Sequence, residues 1–445
     1  MRSKVLFICR RIGPAFGMRA KNPLDVHLNL NVRGMPPSAT VAINEHSNAL
    51  LSRGEKVFKF GLGQSPFPVP DSVVQALRDH AHEKDYLPVR GLQQLRQAVA
   101  DYHQRRDGLA ADADDVLIGP GSKELMFLLQ LVFYGDLVIP TPSWVSYAPQ
   151  ANIIGRKVRW LATSKKNNWM VQPDELERLC KEDPGRPRVL VLNYPSNPTG
   201  DSYTTAQLKA LAQAARQNRC LVLSDEIYGE LHFKGQHTSI SRYYPEGTIV
   251  SSGLSKWCGA GGWRLGTFVF PKQLHWLLDG MGAVASETFT STSAPIQYAA
   301  VRAFEGGDDI EQYLNHSRKL LAALGKSVAT QLGKAGVDVE RPKGGFYLFP
   351  DFSPLRESLA RRGITDSTTL CHRMLDDTGV AFLPGSHFGR PSEELTARMA
   401  YVDFDGAKAL DAVAALGDDK ITDAFLNEHC DRVMEATRRM CQWLA

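Results

Sequence analysis

Lys256 and Arg264 are the first residues whose types and spacing invite chemistry. They lie in the run Ser252-Gly253-Leu254-Ser255-Lys256, continued by Gly261-Gly262-Trp263-Arg264-Leu265-Gly266. Ile249-Val250 precedes the run and Thr267-Phe268-Val269-Phe270 follows it. The lysine therefore falls in a Gly/Ser-rich connection between two strand-like segments. Glycines there let a ligand approach the backbone closely. A lysine amine desolvated beside another cation has a lowered pKa and can form a Schiff base with a carbonyl. Arg264 would be that cation, and its planar fork suits a phosphate. Together the two ask for a ligand that carries both groups. Alone, such a pair is most often a solvated loop, so the rest of the chain must position it.

The positioning elements read as strand, turn and helix, repeated. Val116-Leu117-Ile118 is a buried-type strand, and Gly119-Pro120-Gly121-Ser122-Lys123 turns it into a helix from Glu124 to Val132. A turn that opens a helix points free backbone N–H groups at one place, which suits an anion. Leu137-Val138-Ile139 is a strand that ends in Thr141-Pro142-Ser143-Trp144. Arg188 to Asn193 is another, ending in Tyr194-Pro195-Ser196-Asn197-Pro198-Thr199-Gly200. A helix follows over Thr205 to Gln217, then the strand Leu221 to Asp225, with Glu226 and Tyr228 just beyond. The alternation from Val116 to Phe270 argues an α/β protein with a mostly parallel sheet, doubly wound by helices on both faces. Ligand chemistry in such sheets sits at strand carboxyl ends, where Asn197, Asp225 and Lys256 all fall.

Elsewhere, Ser38 is the expected N-cap of an amphipathic helix ending at Gly54, and Asp71 the expected cap of a helix through Ala81. Asp85 to Gly91 is an extended loop with Tyr86 at its head, before a helix from Leu92 to Arg105. Ile310 to Ala335 is one long helical pattern. Short strands at Gly344 to Phe349, Gly379 to Ser386 and Ala397 to Val402 fit a smaller α+β lobe. Ile421 to Ala445 reads as a helix with a bend.

A chain of 445 residues exceeds one typical core, so two lobes are expected. Hydrophobic content of 43% and charged content of 22% are ordinary for a globular protein. A net charge of +4 is small for this length and argues for neither a nucleic-acid nor a membrane partner. The 7 cysteines are scattered, with no metal-ligand spacing, and point to reduced thiols. Cys258, beside the lysine, reads as packing. No apolar run is long enough to span a membrane. The first stretch carries six basic residues and no acid before Asp25. It reads as a disordered tail over residues 1–36, in a cytoplasmic setting, or in an organelle matrix if it is a transit peptide.

Three motifs together carry a family resemblance: Asn197-Pro198-Thr199-Gly200, Asp225-Glu226-Ile227-Tyr228, and Ser255-Lys256 with Gly262-Trp263-Arg264-Leu265-Gly266. In this order and spacing they resemble the class I (class I/II) aminotransferases, pyridoxal-phosphate (PLP) enzymes of fold type I, from about Pro36 to about Gly406. The resemblance implies a large PLP domain over 71–325 and a small lobe built from both chain ends, 37–70 and 326–445. It implies that Lys256 is the Schiff-base lysine and proton shuttle. Asp225 would sit under the pyridine nitrogen and keep the ring an electron sink. Tyr228 and Asn197 would bond the cofactor's phenolic oxygen, and Trp144 would stack on the ring. Gly121, Ser122, Lys123, Ser255 and Arg264 would hold the phosphate, with Tyr86 reaching in from the second subunit of a homodimer. Arg398 would clamp the substrate α-carboxylate, beside Gly63 and Asn197. Many relatives carry a phosphate-binding serine where this chain has Gly253, and Ser255 or Ser252 would have to compensate.

The reaction so implied is ping-pong transfer of an amino group between an L-amino acid and a 2-oxo acid. Dicarboxylate-specific relatives place a cation against the distal carboxylate, and the matching positions here are taken as Phe289 or a nearby threonine, and as Leu131. An unpaired buried carboxylate costs several kcal/mol, so a neutral or aromatic donor is expected. The alternatives are an aspartate-type aminotransferase and a C–S β-lyase on the same site. A transcription regulator of this fold would need a DNA-binding domain, for which about 36 N-terminal residues are too few.

Overall fold

The computed structural model describes residues 27–445. Most of the expected tail, residues 1–26, lies outside them. The chain divides into Met1–Met35 and one compact unit, Pro36–Ala445. In the first, Val32 and Arg33 N–H groups both donate to Asn29 O, making a single turn.

The compact unit opens with the helix Ala39–Ser52, as expected, although Ser38 makes no side-chain cap bond. Strand β1 (Phe58–Lys59) follows. The next helix, Asp71–Asp79, starts after Pro70, so Asp71 stands in its first turn rather than capping it. There its charge faces the helix N-terminus favourably. Seven strands then build the central sheet: β2 (Val116–Gly119), β3 (Asp136–Thr141), β4 (Val158–Ala162), β5 (Arg188–Asn193), β6 (Leu221–Asp225), β7 (Thr248–Gly253) and β8 (Gly266–Val269). Their order is β2-β8-β7-β6-β5-β3-β4. β8 alone runs opposite to the other six strands.

Alternation along each strand sends successive side chains into different cores. Val189 and Val191 of β5 join Leu137, Leu223 and Phe268 on one face, under the helices Ser122–Val132 and His275–Thr288. Leu190 and Leu192 join Val138 and Val222 on the other, under Pro173–Lys181 and Thr205–Gln217. The sheet is thus covered on both sides, which is why its strands are continuous apolar runs.

The 27-residue helix Asp308–Lys334 runs through the expected lobe boundary at 325/326. Beyond it lie β9 (Tyr347–Leu348), β10 (Val380–Ala381), β11 (Leu383–Pro384) and β12 (Ala397–Ala400). The expected strand at Gly379 to Ser386 is therefore two short pieces, parted at Phe382. β1 pairs in parallel with β10, Phe58 opposite Val380, so the two ends of the compact unit meet in one ladder. β12 pairs with β11 on one side and β9 on the other, setting Ala400 opposite Tyr347. The C-terminal segment is two helices, Asp423–His429 and Asp431–Leu444, broken at Cys430.

Candidate active site

The carboxyl ends of β3, β5, β6 and β7 and the start of helix Ser122–Val132 open on one cavity of about 600 Å³. Ser122, Lys123, Trp144, Asn197, Asp225, Tyr228, Ser255, Lys256, Arg264, Gly63 and Arg398 all line it. Residues up to about 335 positions apart in the chain are thereby brought to one place, at the strand ends where α/β sheets bind ligands.

Asp225 ends β6 and is buried. Its Oδ2 accepts from the Tyr147 hydroxyl at 2.5 Å, while Oδ1 has no hydrogen-bond partner. Burial pushes its pKa up to about 6, against the lowering effects of Tyr147 and the Ile227 N–H. A buried, half-satisfied carboxylate is costly unless a donor completes it. Asn193 fixes the strand ends: its Nδ2 donates to Asp225 O at 2.9 Å, and its Oδ1 accepts from Asn197 N–H at 2.7 Å.

Lys256 donates to Gly63 O at 2.7 Å. Burial lowers its amine pKa to about 8, and Arg398 is the foremost cation adding to that, ahead of Arg264. Arg264 acts in the expected direction, with Arg398 as the larger influence beside it. Arg398, on β12, is 1% exposed. It donates to Gly61 O and, at 3.3 Å, to Asn197 Oδ1, while its Nε has no partner. Its guanidinium lies over the Tyr347 ring at 4.9 Å.

Gly121 stands just behind the lining, where a Cβ would come within 2.3 Å of Arg264 Nη2. It precedes Ser122 with no side-chain cap, leaving the first N–H groups of the helix to face the cavity. Arg264 is itself left-handed, φ 55°, and donates to Gly261 O at 2.9 Å. Gly253 has a structural reason to lack a side chain: a Cβ there would stand 2.7 Å from Leu265 O. Of the two serines that could replace the lost contact, Ser255 lines the site and Ser252 lines a separate cavity of about 50 Å³.

Tyr86 is the one expected site residue standing away from the cavity, 89% exposed on its loop. Phe289 packs against the core beneath helix His275–Thr288, and Leu131 is exposed; neither lines the site. Residues the motifs did not single out do contribute. Tyr147 follows Trp144 by three residues in Trp-Val-Ser-Tyr, and its spacing from Trp144 was the available signal. Tyr347, Asn193 and Gln64 also line the cavity or brace it, with no local pattern to mark them.

A reactive amine, an orphaned buried acid and a phosphate-ready turn converge on one cavity, which defines an enzyme that handles amines through a bound carbonyl-and-phosphate cofactor. Residues 55–416 match the model of the family described as aminotransferase class I and II, and the chain belongs to that family. It is a PLP-dependent aminotransferase. It is similar to the aspartate aminotransferase of Geobacillus stearothermophilus, 31% identical over 393 residues, covering 86% of this chain and 95% of that one. Among solved structures it is similar to the aspartate aminotransferase from Thermus thermophilus with maleate, with a TM-score of 0.79 and 27% identity, covering 93% of this chain and 99% of that one. It is also similar to the aromatic aminotransferase from Pyrococcus horikoshii OT3, with a TM-score of 0.74 and 26% identity over 89% of this chain and 98% of that one.

The donor set fits PLP. The unpartnered Asp225 Oδ1 is matched to a ring N–H, the uncapped helix start and Arg264 to a phosphate, and Lys256 to the carbonyl. Among the described residues no helix is long and apolar enough to cross a membrane.

Proposed function

We propose that this aminotransferase works by a ping-pong exchange between an acidic L-amino acid and a 2-oxo acid. Ser122, Lys123 and Ser255, with Arg264 and the Gly121 turn, hold the cofactor phosphate; Trp144 stacks on the ring; Asp225 keeps a proton on its nitrogen. When bound, PLP supplies the electron sink that acidifies the substrate Cα–H. Lys256 Nζ takes that proton and returns it elsewhere, a task for which an amine of pKa about 8 is suited. Arg398 receives the α-carboxylate through its free Nε and orients the Cα–H toward Lys256. Asn197 and Tyr228 donate to the cofactor's phenolic oxygen.

The observation that carries the acidic donor is Lys123. It lines the cavity, has no ion pair among the described residues, and lies over Trp144 at 5.1 Å. A second carboxylate thus has a cation to meet. The expectation of a neutral or aromatic donor drew on Leu131 and Phe289, positions outside the cavity. It keeps two supports, the apolar lining of Val41, Leu62 and Ile227 and the similarity to an aromatic aminotransferase, and stands as the second reading. Relatives named for aspartate support the first.

The assembly we propose is a homodimer in which Tyr86 of each subunit completes the other's phosphate site, since its ring is free in the single chain. Residues 37–70 and 326–445 would form a small lobe against 71–325, supported by the β1–β10 ladder. The described cysteines are all unpaired, which supports a reducing, cytoplasm-like setting.

Rapid mixing of the holoenzyme with single amino acids, without an oxo acid, tests the reading. Aspartate or glutamate should convert the cofactor's visible band fastest. Faster conversion by phenylalanine or leucine would select the second reading, and release of ammonia and pyruvate from a cysteine conjugate would select the lyase.

A further inference from the structure

Tyr347 comes from β9, far in sequence from every motif, yet its hydroxyl stands at the centre of the site. It is 2.8 Å from the Tyr228 hydroxyl and 3.5 Å from Gly63 O, the carbonyl that also receives Lys256 at 2.7 Å. The side chain is 1% exposed. Gly63 exists in this place because the hydroxyl does: a Cβ on residue 63 would lie 1.8 Å from Tyr347 Oη. The register that sets Tyr347 opposite Ala400 holds the ring beneath Arg398, at 4.9 Å.

Each phenol has a single proton to give. Tyr228 and Tyr347 face each other, so one donates and the other accepts. If Tyr228 donates to Tyr347, it has none left for the cavity. If Tyr347 donates to Tyr228, the Tyr228 proton is released toward the cavity, and a donor that is itself receiving a hydrogen bond donates more strongly. Tyr347's other acceptor, Gly63 O, lies at 3.5 Å, at the limit of a hydrogen bond, whereas Tyr228 Oη lies at 2.8 Å, which favours the second arrangement.

We propose that Tyr347 is a positioning residue for the transamination: its hydroxyl donates to Tyr228, directs the Tyr228 proton into the site, and its ring seats Arg398. This rests on the reading that Tyr228 faces the cofactor's phenolic oxygen.

The test is a pH titration of the visible absorbance band of the holoenzyme, in wild type, Tyr228→Phe and Tyr347→Phe. Donation from Tyr228 favours the deprotonated chromophore, so its loss moves the midpoint up. Tyr228→Phe should raise it, and Tyr347→Phe should raise it by less, with kcat falling about tenfold and KM unchanged because the ring under Arg398 is kept. Tyr347→Leu, which removes the ring as well, should add a rise in KM. If Tyr228→Phe leaves the midpoint in place, the underlying site reading fails. If Tyr228→Phe raises it while Tyr347→Phe leaves it unchanged or lowers it, the site reading stands and the role given to Tyr347 is overturned. Band intensity at saturating PLP identifies a variant that has lost its fold.

Discussion

Asp225 and Glu226 are neighbours in the chain and belong to opposite kinds of region. Glu226 points behind β6 into a cluster of paired charges: it accepts from Ser224 and Ser239 hydroxyls at 2.6 Å and meets His237 Nε2 at 2.8 Å. Around it, Glu230 pairs with Arg318 at 2.6 Å and Arg106 at 2.7 Å, and Asp107 meets His103 at 3.3 Å. In the cavity, Asp225, Lys256, Arg398 and Lys123 form no ion pair among the described residues. They are oriented instead by neutral partners: a phenol for Asp225, the carbonyls of Gly63 and Gly61 for the two cations. A neutral partner fixes direction without cancelling charge. The cluster uses its charges to hold the fold together; the cavity keeps its charges available to a ligand.

The comparison breaks hardest at Lys256. Lys256→Ala should lower the single-turnover rate by more than about a thousandfold, the scale of a lost proton-transfer group, and leave thermal stability unchanged or raised. A variant that loses stability in step with activity would place the lysine among the structural charges.

Arg318→Ala is the converse. Arg318 is 7% exposed and donates to both the backbone O and Oε2 of Glu230 at 2.6 Å. Removing it leaves a buried acid short of a partner and should cost about 3 kcal/mol in denaturant unfolding. The kcat of the folded fraction should stay near wild type. A large fall in kcat at full occupancy of the folded state would join the two regions.

Asp225 supplies a pH test of similar size. Its carboxyl titrates near pH 6 when folded, above the ordinary 3.8. The folded state therefore binds more protons in that window, and the stability this gives is present below pH 3.8 and lost as pH rises through about 6. With PLP removed, wild type should lose about 3 kcal/mol across the window relative to Asp225→Asn. Restoring PLP should abolish the difference, because a ring N–H then completes Oδ1. Parallel pH curves for the two cofactor-free proteins would contradict the strain assigned to the orphaned oxygen.

The sheet and its half of the site were legible because each functional residue stands at or just past the end of an apolar strand: Asp225 at the end of β6, Lys256 after β7, Asn197 after β5. Periodicity locates the strand, and the strand end locates the residue. The other half depends on pairing between distant segments. Tyr347 reads as an ordinary strand residue until the β9–β12 register brings it under Arg398. Tyr147 is tied to the site only by its contact with Asp225, 78 residues on. The lowering effect of Arg264 was legible from its proximity to Lys256, whereas the larger effect of Arg398, 142 residues beyond the lysine, was not. Leu131 was a matter of helix phase: its side chain leaves the helix on the solvent side, whereas Lys123, in the first turn, is directed at the cavity.

Lys123 gives the smallest effect and the finest division, because its backbone and its side chain serve different ends. Its N–H belongs to the helix start that meets the phosphate, and that contact survives any substitution except proline. Its ammonium lies over Trp144 and is lowered in pKa by partial burial and by Arg264, so it gains from a carboxylate that enters nearby. Lys123→Ala should raise KM for aspartate or glutamate about fivefold, the scale of an exposed ion pair, with kcat and PLP affinity nearly unchanged. KM for a neutral donor should not move. An equal rise for both donors would mean that the side chain orders the turn rather than the substrate, and a fall in PLP affinity alone would assign its charge to the phosphate.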